Sequence, residues 1–267
     1  MPLFEIAVLA IIQGITEFLP ISSSGHLRLG SELLGLSENT LILDVAVHVG
    51  TLFAVMAYFW RDLVFMIAGL FDNLRGRKHD GARLAGYLVI ATIPIIIAGF
   101  FAQELVENHL RTLEVVGWAT IGFGVLLFLA DRMGMTILKL DRLTISNALI
   151  IGIAQVLALI PGTSRAGITI TAARFLGYDR TESARFSMLM SIPAIGGAGL
   201  LIGLQLFETG NAVLTRDALI AAILSFLTAL VAIALFLRWL RFAGFGPFVI
   251  YRLALGALIL GWVYGAF

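Results

Sequence analysis

Six apolar runs, at about 45–66, 84–102, 113–131, 185–204, 218–238 and 248–266, decide the solvent in which this chain folds. Each is close to the roughly 20 residues that a helix needs to cross the hydrocarbon core of a bilayer. Water cannot satisfy backbone N–H and C=O groups there, so such runs must close their hydrogen bonds internally, as helices. Of 267 residues, 60% are hydrophobic and 13% charged; a soluble domain is nearer half apolar and a quarter charged. The expected class is an all-α polytopic membrane protein.

Charge and composition remove other classes. A net charge of +1 provides no basic stripe to neutralise phosphates, so nucleic acid is not an expected partner. With no cysteine, disulfides, thiolate metal sites and cysteine nucleophiles are excluded. The first segment carries Glu5 and no Lys or Arg before Arg28, so it lacks the basic start of a cleavable signal peptide.

The loop charges give an orientation. The loop DNLRGRKHDGAR at 72–83 holds Arg75, Arg77, Lys78 and Arg83 and is read as cytoplasmic. Counting spans forward, the 131–142 loop, the segment with Arg180 and Arg185, and the turn with Arg238 and Arg241 also fall inside. The loops at 103–112 and 205–217, with one basic residue each, fall outside. This alternation closes only if two further segments, about 3–30 and 144–177, do not cross.

Those two segments are apolar, then polar, then apolar, with Pro20 and Pro161 at their centres. Proline breaks a helix and leaves backbone groups unpaired; the choice is between a kinked span and a re-entrant hairpin, and the charge count selects hairpins. The box LPISSSG at 19–25 aligns with IPGTSRAG at 160–167, with one extra residue in the second copy, and three spans follow each box. The full expectation is six transmembrane helices plus two re-entrant helical hairpins in one membrane domain, 1–267. Its halves, about 1–131 and 142–267, are inverted repeats whose hairpin tips meet near the midplane.

The boxes carry the chemistry. A charged side chain at the bilayer centre costs roughly 2.5–3.5 kcal/mol on insertion scales, so Glu17, His26 and Arg165 must face one another or a watery cavity. In QGITEFLPISSSGH at 13–26, Gln13 and Glu17 are four apart and share a helix face. Ser22, Ser23, Ser24 and Gly25 then offer hydroxyls and N–H groups, either as a plain helix cap or as an anion site. In PGTSRAGIT at 161–169, Gly162 and Gly167 allow close approach of backbone, Ser164 and Thr169 add hydroxyls, and Arg165 presents a planar fork matched to phosphate oxygens. Arg165 reads equally as an ion-pair partner of Glu17. His48 reads either as facing the cavity or as a helical histidine bonded within its own turn. Together these groups suit phosphoryl transfer, in which a protein mainly positions groups and neutralises charge. Gln13 and Glu17 could also hold a hard divalent cation through oxygen.

The boxes resemble those of the undecaprenyl pyrophosphate phosphatase family of the bacitracin-resistance type. That family carries a [Glu/Gln]-x-x-x-Glu motif running into Pro-x-Ser-Ser-x-Gly-His, and later Pro-Gly-x-Ser-Arg-x-Gly-x-Thr, here Gln13 to Glu17, Pro20 to His26 and Pro161 to Thr169. The resemblance covers essentially the whole chain. It departs at Gln13, where a second carboxylate would strengthen a metal site, and at Ala166, where serine is common. It implies an enzyme that removes the terminal phosphate of a C55 polyprenyl pyrophosphate and so recycles the lipid carrier for peptidoglycan. Glu17, Ser23, His26 and Arg165 are implied as catalytic, Ser22, Ser24, Gly25, Gly162, Ser164 and Thr169 as substrate-binding, and Mg²⁺ or Ca²⁺ as the supporting cation. The implied setting is the bacterial cytoplasmic membrane, with the site open to the outer side and a second copy of the chain allowed as a homodimer partner. Ser23 with His26 as its base, His26 attacking directly to give a phosphohistidine, and a water activated by Glu17 remain three candidates for the attack. The inverted repeat leaves a second function class open, a flippase for polyprenyl phosphate. The phosphatidic-acid type of lipid phosphatase needs a histidine where this chain has Thr171, which argues against membership there.

Overall fold

Helices account for nearly all of the structure, a computed structural model that describes residues 2–27, 40–134, 137–209 and 212–265. The ten longer helices among these residues are α1 (Leu3–Thr16), α2 (Thr40–Tyr58), α3 (Trp60–Leu74), α4 (Asp80–Leu105), α5 (Leu113–Met133), α6 (Ile145–Val156), α7 (Arg165–Phe175), α8 (Arg180–Thr209), α9 (Ala212–Leu240) and α10 (Gly246–Val263). The only extended pairing among them is an isolated bridge between Leu138 and Tyr178. Local chemistry sets several starts: Thr112 and Thr144 cap α5 and α6 by accepting the N–H groups of Val115 and Asn147, and Pro247 sits in the first turn of α10, where its missing N–H costs nothing.

Four helices are long and apolar enough to cross a bilayer, within Asp80–Ala102, Leu113–Met133, Thr215–Leu240 and Gly246–Val263. This is a multi-pass membrane protein. The expected straight span at 45–66 is corrected: α2 and α3 form a pair bent by 76° at Phe59. The run keeps its apolar character past the bend, but Asp62 follows immediately and pairs with Arg185, which turns the chain. Beyond it α3 exposes Val64, Phe65, Ile67, Leu70, Phe71 and Leu74. The span expected at 185–204 lies within the 30-residue α8, whose side chains from 198 onward are outside the described residues. The first hairpin's returning helix is described only to residue 27; 28–39 are likewise outside.

The helices pair in a regular order. α1 packs on α9 as α6 packs on α4, while α5 lies against α10 and α2 against α8. Glycine permits the closest of these crossings. A methyl group at Gly14 would meet Ser225 O at 2.9 Å and Thr228 Cβ at 2.7 Å, and one at Gly152 would meet Ala91 O at 2.4 Å.

The two ends of the bundle differ. At one end Asp131 accepts Arg180 Nε at 2.7 Å and Phe245 N at 3.2 Å, Arg185 pairs with Asp62 and Glu182, and Arg174 binds the carbonyls of Tyr178, Asp131 and Gly134. A cavity of about 310 Å³ there is lined by Asp80, Arg83, Lys139, Asp141, Glu182 and Arg185 together with Phe65, Leu84, Tyr87 and Leu140. At the opposite end Tyr264 Oη donates to Glu114 at 2.6 Å.

Candidate active site

Between these ends, the two boxes fold into turns built on a like pivot. α1 stops at Thr16, the chain turns through 17–21, and helical backbone resumes at 23–27. α6 runs through a short 3₁₀ turn at Leu157–Leu159, turns at 160–164, and resumes as α7 at Arg165. The pivot of each is a serine with positive φ, 73° at Ser22 and 70° at Ser164, the two non-glycine residues with positive φ among those described. A left-handed serine costs of order 1–3 kcal/mol and persists where its surroundings hold it. Each hydroxyl accepts the N–H three residues on, Gly25 N at 3.4 Å and Gly167 N at 3.1 Å. Both serines are therefore helix caps.

The residue after each cap is what the turns deliver. Ser23 and Arg165, from opposite halves of the chain, meet on one carboxylate. Glu17 is 7% exposed. Its Oε1 accepts Arg165 Nη2 at 2.9 Å, and its Oε2 accepts both Ser23 Oγ and Gln13 Nε2 at 2.9 Å. His48 Nε2 stands 3.8 Å from the same Oε2, with its Nδ1–H donated to Asp44 O. Arg165 also reaches Ser187 O at 3.2 Å. Of the two readings of Arg165, the ion pair with Glu17 is the one seen here, made to the carboxylate whose other oxygen accepts the Ser23 hydroxyl. A charge pair this buried is costly to desolvate and survives because each partner is hydrogen-bonded on several sides.

His26 is turned elsewhere. Its Nδ1 lies 2.6 Å from Ser22 O and its Nε2 2.6 Å from Tyr251 Oη, with the two rings parallel within 6°. Among the described hydrogen bonds it makes none to Ser23, Glu17 or Arg165. The group on the Ser23 hydroxyl is Glu17.

The other expected ligands divide by exposure. Ser24 is exposed and Gly25 buried. Gly162, with φ 93°, sits where a Cβ would meet Val116 O at 2.5 Å, and its carbonyl accepts Thr120 Oγ1 and Arg252 Nη2. Thr169 is 1% exposed and spends its hydroxyl on Ser187 Oγ and the carbonyls of Arg165 and Ala166. Gly162 and Thr169 thus shape the second turn from within.

Comparison with known proteins places the chain in a family. Residues 6–258 match the family described as bacitracin resistance protein BacA. The chain belongs to that family. An undecaprenyl-diphosphatase of Jannaschia sp. (strain CCS1) is 52% identical over 97% of this chain and 98% of its own length. One of Ruegeria pomeroyi is 50% identical over 99% and 100%, and undecaprenyl-diphosphatase 1 of Rhodospirillum rubrum is 49% identical over 99% and 96%.

Two site residues carry no signal in either family box. Tyr251 holds His26, and its neighbour Arg252 is fully buried. The Arg252 guanidinium donates to the carbonyls of Pro20 in the first turn, Gly162 and Thr163 in the second, and Ala119 and Thr120 of α5, at 2.9–3.4 Å. Among the described residues it has no carboxylate partner. Two guanidiniums therefore serve a centre with one carboxylate, a charge balance that suits a polyanion. The same balance bears on the divalent cation. Both Glu17 oxygens are engaged, Gln13 contributes only an unpartnered buried Oε1, and no group of three or more His, Cys, Asp or Glu residues capable of holding a metal occurs among the described residues. This donor set does not make a resident Mg²⁺ or Ca²⁺ cage.

Proposed function

We propose that this protein is an undecaprenyl-diphosphatase. It hydrolyses undecaprenyl pyrophosphate to undecaprenyl phosphate and inorganic phosphate, which recycles the lipid carrier for peptidoglycan synthesis and confers bacitracin resistance. The observation that carries the reading is the meeting of Ser23 Oγ and Arg165 on the two oxygens of Glu17, in a chain about half identical to proteins of that name.

The geometry favours one of the three candidate attacks. Ser23 Oγ bonds to the terminal phosphorus while its proton passes to Glu17 Oε2, and the bridging P–O bond breaks to release the lipid monophosphate. Water then cleaves the phosphoserine, and the Glu17 proton leaves with the products. Arg165, drawn from Glu17 to the phosphoryl oxygens, neutralises charge in the transition state, and Ser24 offers an exposed hydroxyl next to Ser23 in the chain. A divalent cation, in this reading, arrives on the pyrophosphate and is not held in advance by Gln13 and Glu17. The test is release of phosphate from a C55 or soluble C15 prenyl pyrophosphate by the purified protein. Loss of activity in Arg165→Ala and Glu17→Ala supports the site, and wild-type rates in either remove it.

The membrane arrangement belongs to the same proposal: six crossings, two re-entrant hairpins and inverted halves at about 1–131 and 142–267. It is supported by the matched pairings α1 with α9 and α6 with α4, by the two capping serines, and by convergence of the basic segments on one end. That end faces the cytoplasm, the site opens to the outer side of the bacterial cytoplasmic membrane, and a homodimer is compatible with it. The matched pairings also favour a second reading, a flippase for polyprenyl phosphate through alternately opening halves. Movement of prenyl phosphate across liposomes by a variant that cannot hydrolyse would support it.

A further inference from the structure

The mechanism above leaves one contact unused. His26 makes two hydrogen bonds of 2.6 Å, and neither goes to the Ser23–Glu17–Arg165 centre. A carbonyl oxygen only accepts, so the bond to Ser22 O places the proton on Nδ1 and leaves Nε2 with the lone pair that faces Tyr251 Oη. The phenol donates to it. Tautomer and ring orientation are thereby both set, one by the first turn's own backbone and the other by a residue 225 positions away. Tyr251 is itself held in place, because the next residue, Arg252, is pinned by five carbonyls, among them Pro20 O of the same turn. Two adjacent residues of α10 thus grip the first box at two points, the Pro20 carbonyl and the His26 ring, on either side of Ser23.

We propose that Tyr251 is a positioning residue for the hydrolysis, acting through His26: its hydroxyl fixes the imidazole with Nδ1 protonated and Nε2 available beside the nucleophilic turn. The phenol's ring gives the parallel contact, and its oxygen gives the orientation. Tyr251 is 44% exposed, so the pair lies at the edge of the buried centre, where Nε2 can be released to accept a proton from water. Residues that orient a functional imidazole in this way typically change activity by about 10–100-fold when removed.

The proposal rests on the phosphatase reading, and a double-mutant cycle separates the two. Tyr251→Phe keeps the ring and removes the oxygen. The expected result is a fall in kcat of about tenfold or more with KM within about twofold, while the variant elutes like wild type from a sizing column in detergent. In a His26→Ala background the same substitution is expected to cost nothing further. An unchanged kcat in Tyr251→Phe, or an equal loss with and without His26, overturns the proposal. Nitrogen NMR of ¹⁵N-histidine-labelled protein supplies a readout that needs no activity. The His26 signal of wild type is expected to show a protonated Nδ1 and a hydrogen-bonded Nε2, and Tyr251→Phe to lose the latter; identical spectra overturn the proposal even in a protein that proves not to be a phosphatase.

Discussion

The two turns at 17–22 and 160–164 share a pivot and carry opposite cargo. Each pivots on a serine near φ +70° that caps the following helix, and each is approached by a helix bearing a buried glutamine, Gln13 and Gln155, nine residues before that serine. There the likeness ends. Where the first turn carries Glu17, the position the same distance before its cap in the second is Leu159; where the first carries Ser23, the second carries Arg165. Gln13 donates to the carboxylate, whereas Gln155 donates to Ala91 O. Two like caps thus present unlike side chains, acid and nucleophile in the first turn and the cation in the second. A shared backbone sets where a side chain starts, and the residue placed on it sets the chemistry.

That comparison can be broken first at the cargo. Ser23→Ala is expected to lower kcat/KM by at least ~10³-fold, as loss of a nucleophile does, and to abolish a trappable phosphoenzyme; label retained on the variant protein would move the attack elsewhere. Arg165→Ala is expected to cost about 10²–10³-fold, with Arg165→Lys restoring little, because an ammonium lacks the planar fork that binds Glu17 and Ser187 O together. Steady-state rates with a C15 substrate read both.

The grip that joins the turns comes next. Arg252→Ala leaves buried carbonyls of both loops without a donor, each costing about 1–3 kcal/mol, so a marked loss of thermal stability in detergent is expected, with activity falling in parallel. The scaffold itself is more tolerant. Ser22→Ala and Ser164→Ala each lose a cap worth about 1 kcal/mol, and glycine at either position is expected to cost less than alanine, since glycine accepts positive φ freely. Melting temperatures of the four variants should show the same order in both turns; a difference would mean that the turns are not equivalent. His48→Gln is expected to have the smallest effect, under about tenfold in kcat, because Nε2 is 3.8 Å from Glu17 and outside hydrogen-bond reach.

Much of this was legible in the residues. The cost of charge in an apolar stretch marked Glu17, His26 and Arg165, and proline with serine and glycine marked the turns. The same criterion also points to Arg252, a guanidinium inside the run at 248–266, yet a run averaged over some twenty residues hides one charge among leucines. Tyr251 has no such signal: a tyrosine in an apolar helix is ordinary, and only the tertiary contact with His26 gives it a role. The pairing of Glu17 with Ser23, in place of His26 with Ser23, likewise depends on which way each side chain leaves a turn with positive φ, which local spacing does not encode. The bend at Phe59 escaped for the opposite reason. Hydropathy continues across it, and the partner that turns the chain, Arg185, lies 123 residues from Asp62.

The position of Arg252 in the chain has a consequence for assembly. Synthesis proceeds from the N-terminus, so the first turn and its catalytic side chains enter the membrane long before residue 252 exists. The side chain that fastens both turns arrives 226 residues after His26 closes the first box. A ribosome-stalled or truncated chain can thus contain Glu17, Ser23 and Arg165 and still lack the fixed distances between them. The helix α10 acts as a keystone, and hydrolytic competence waits on its arrival.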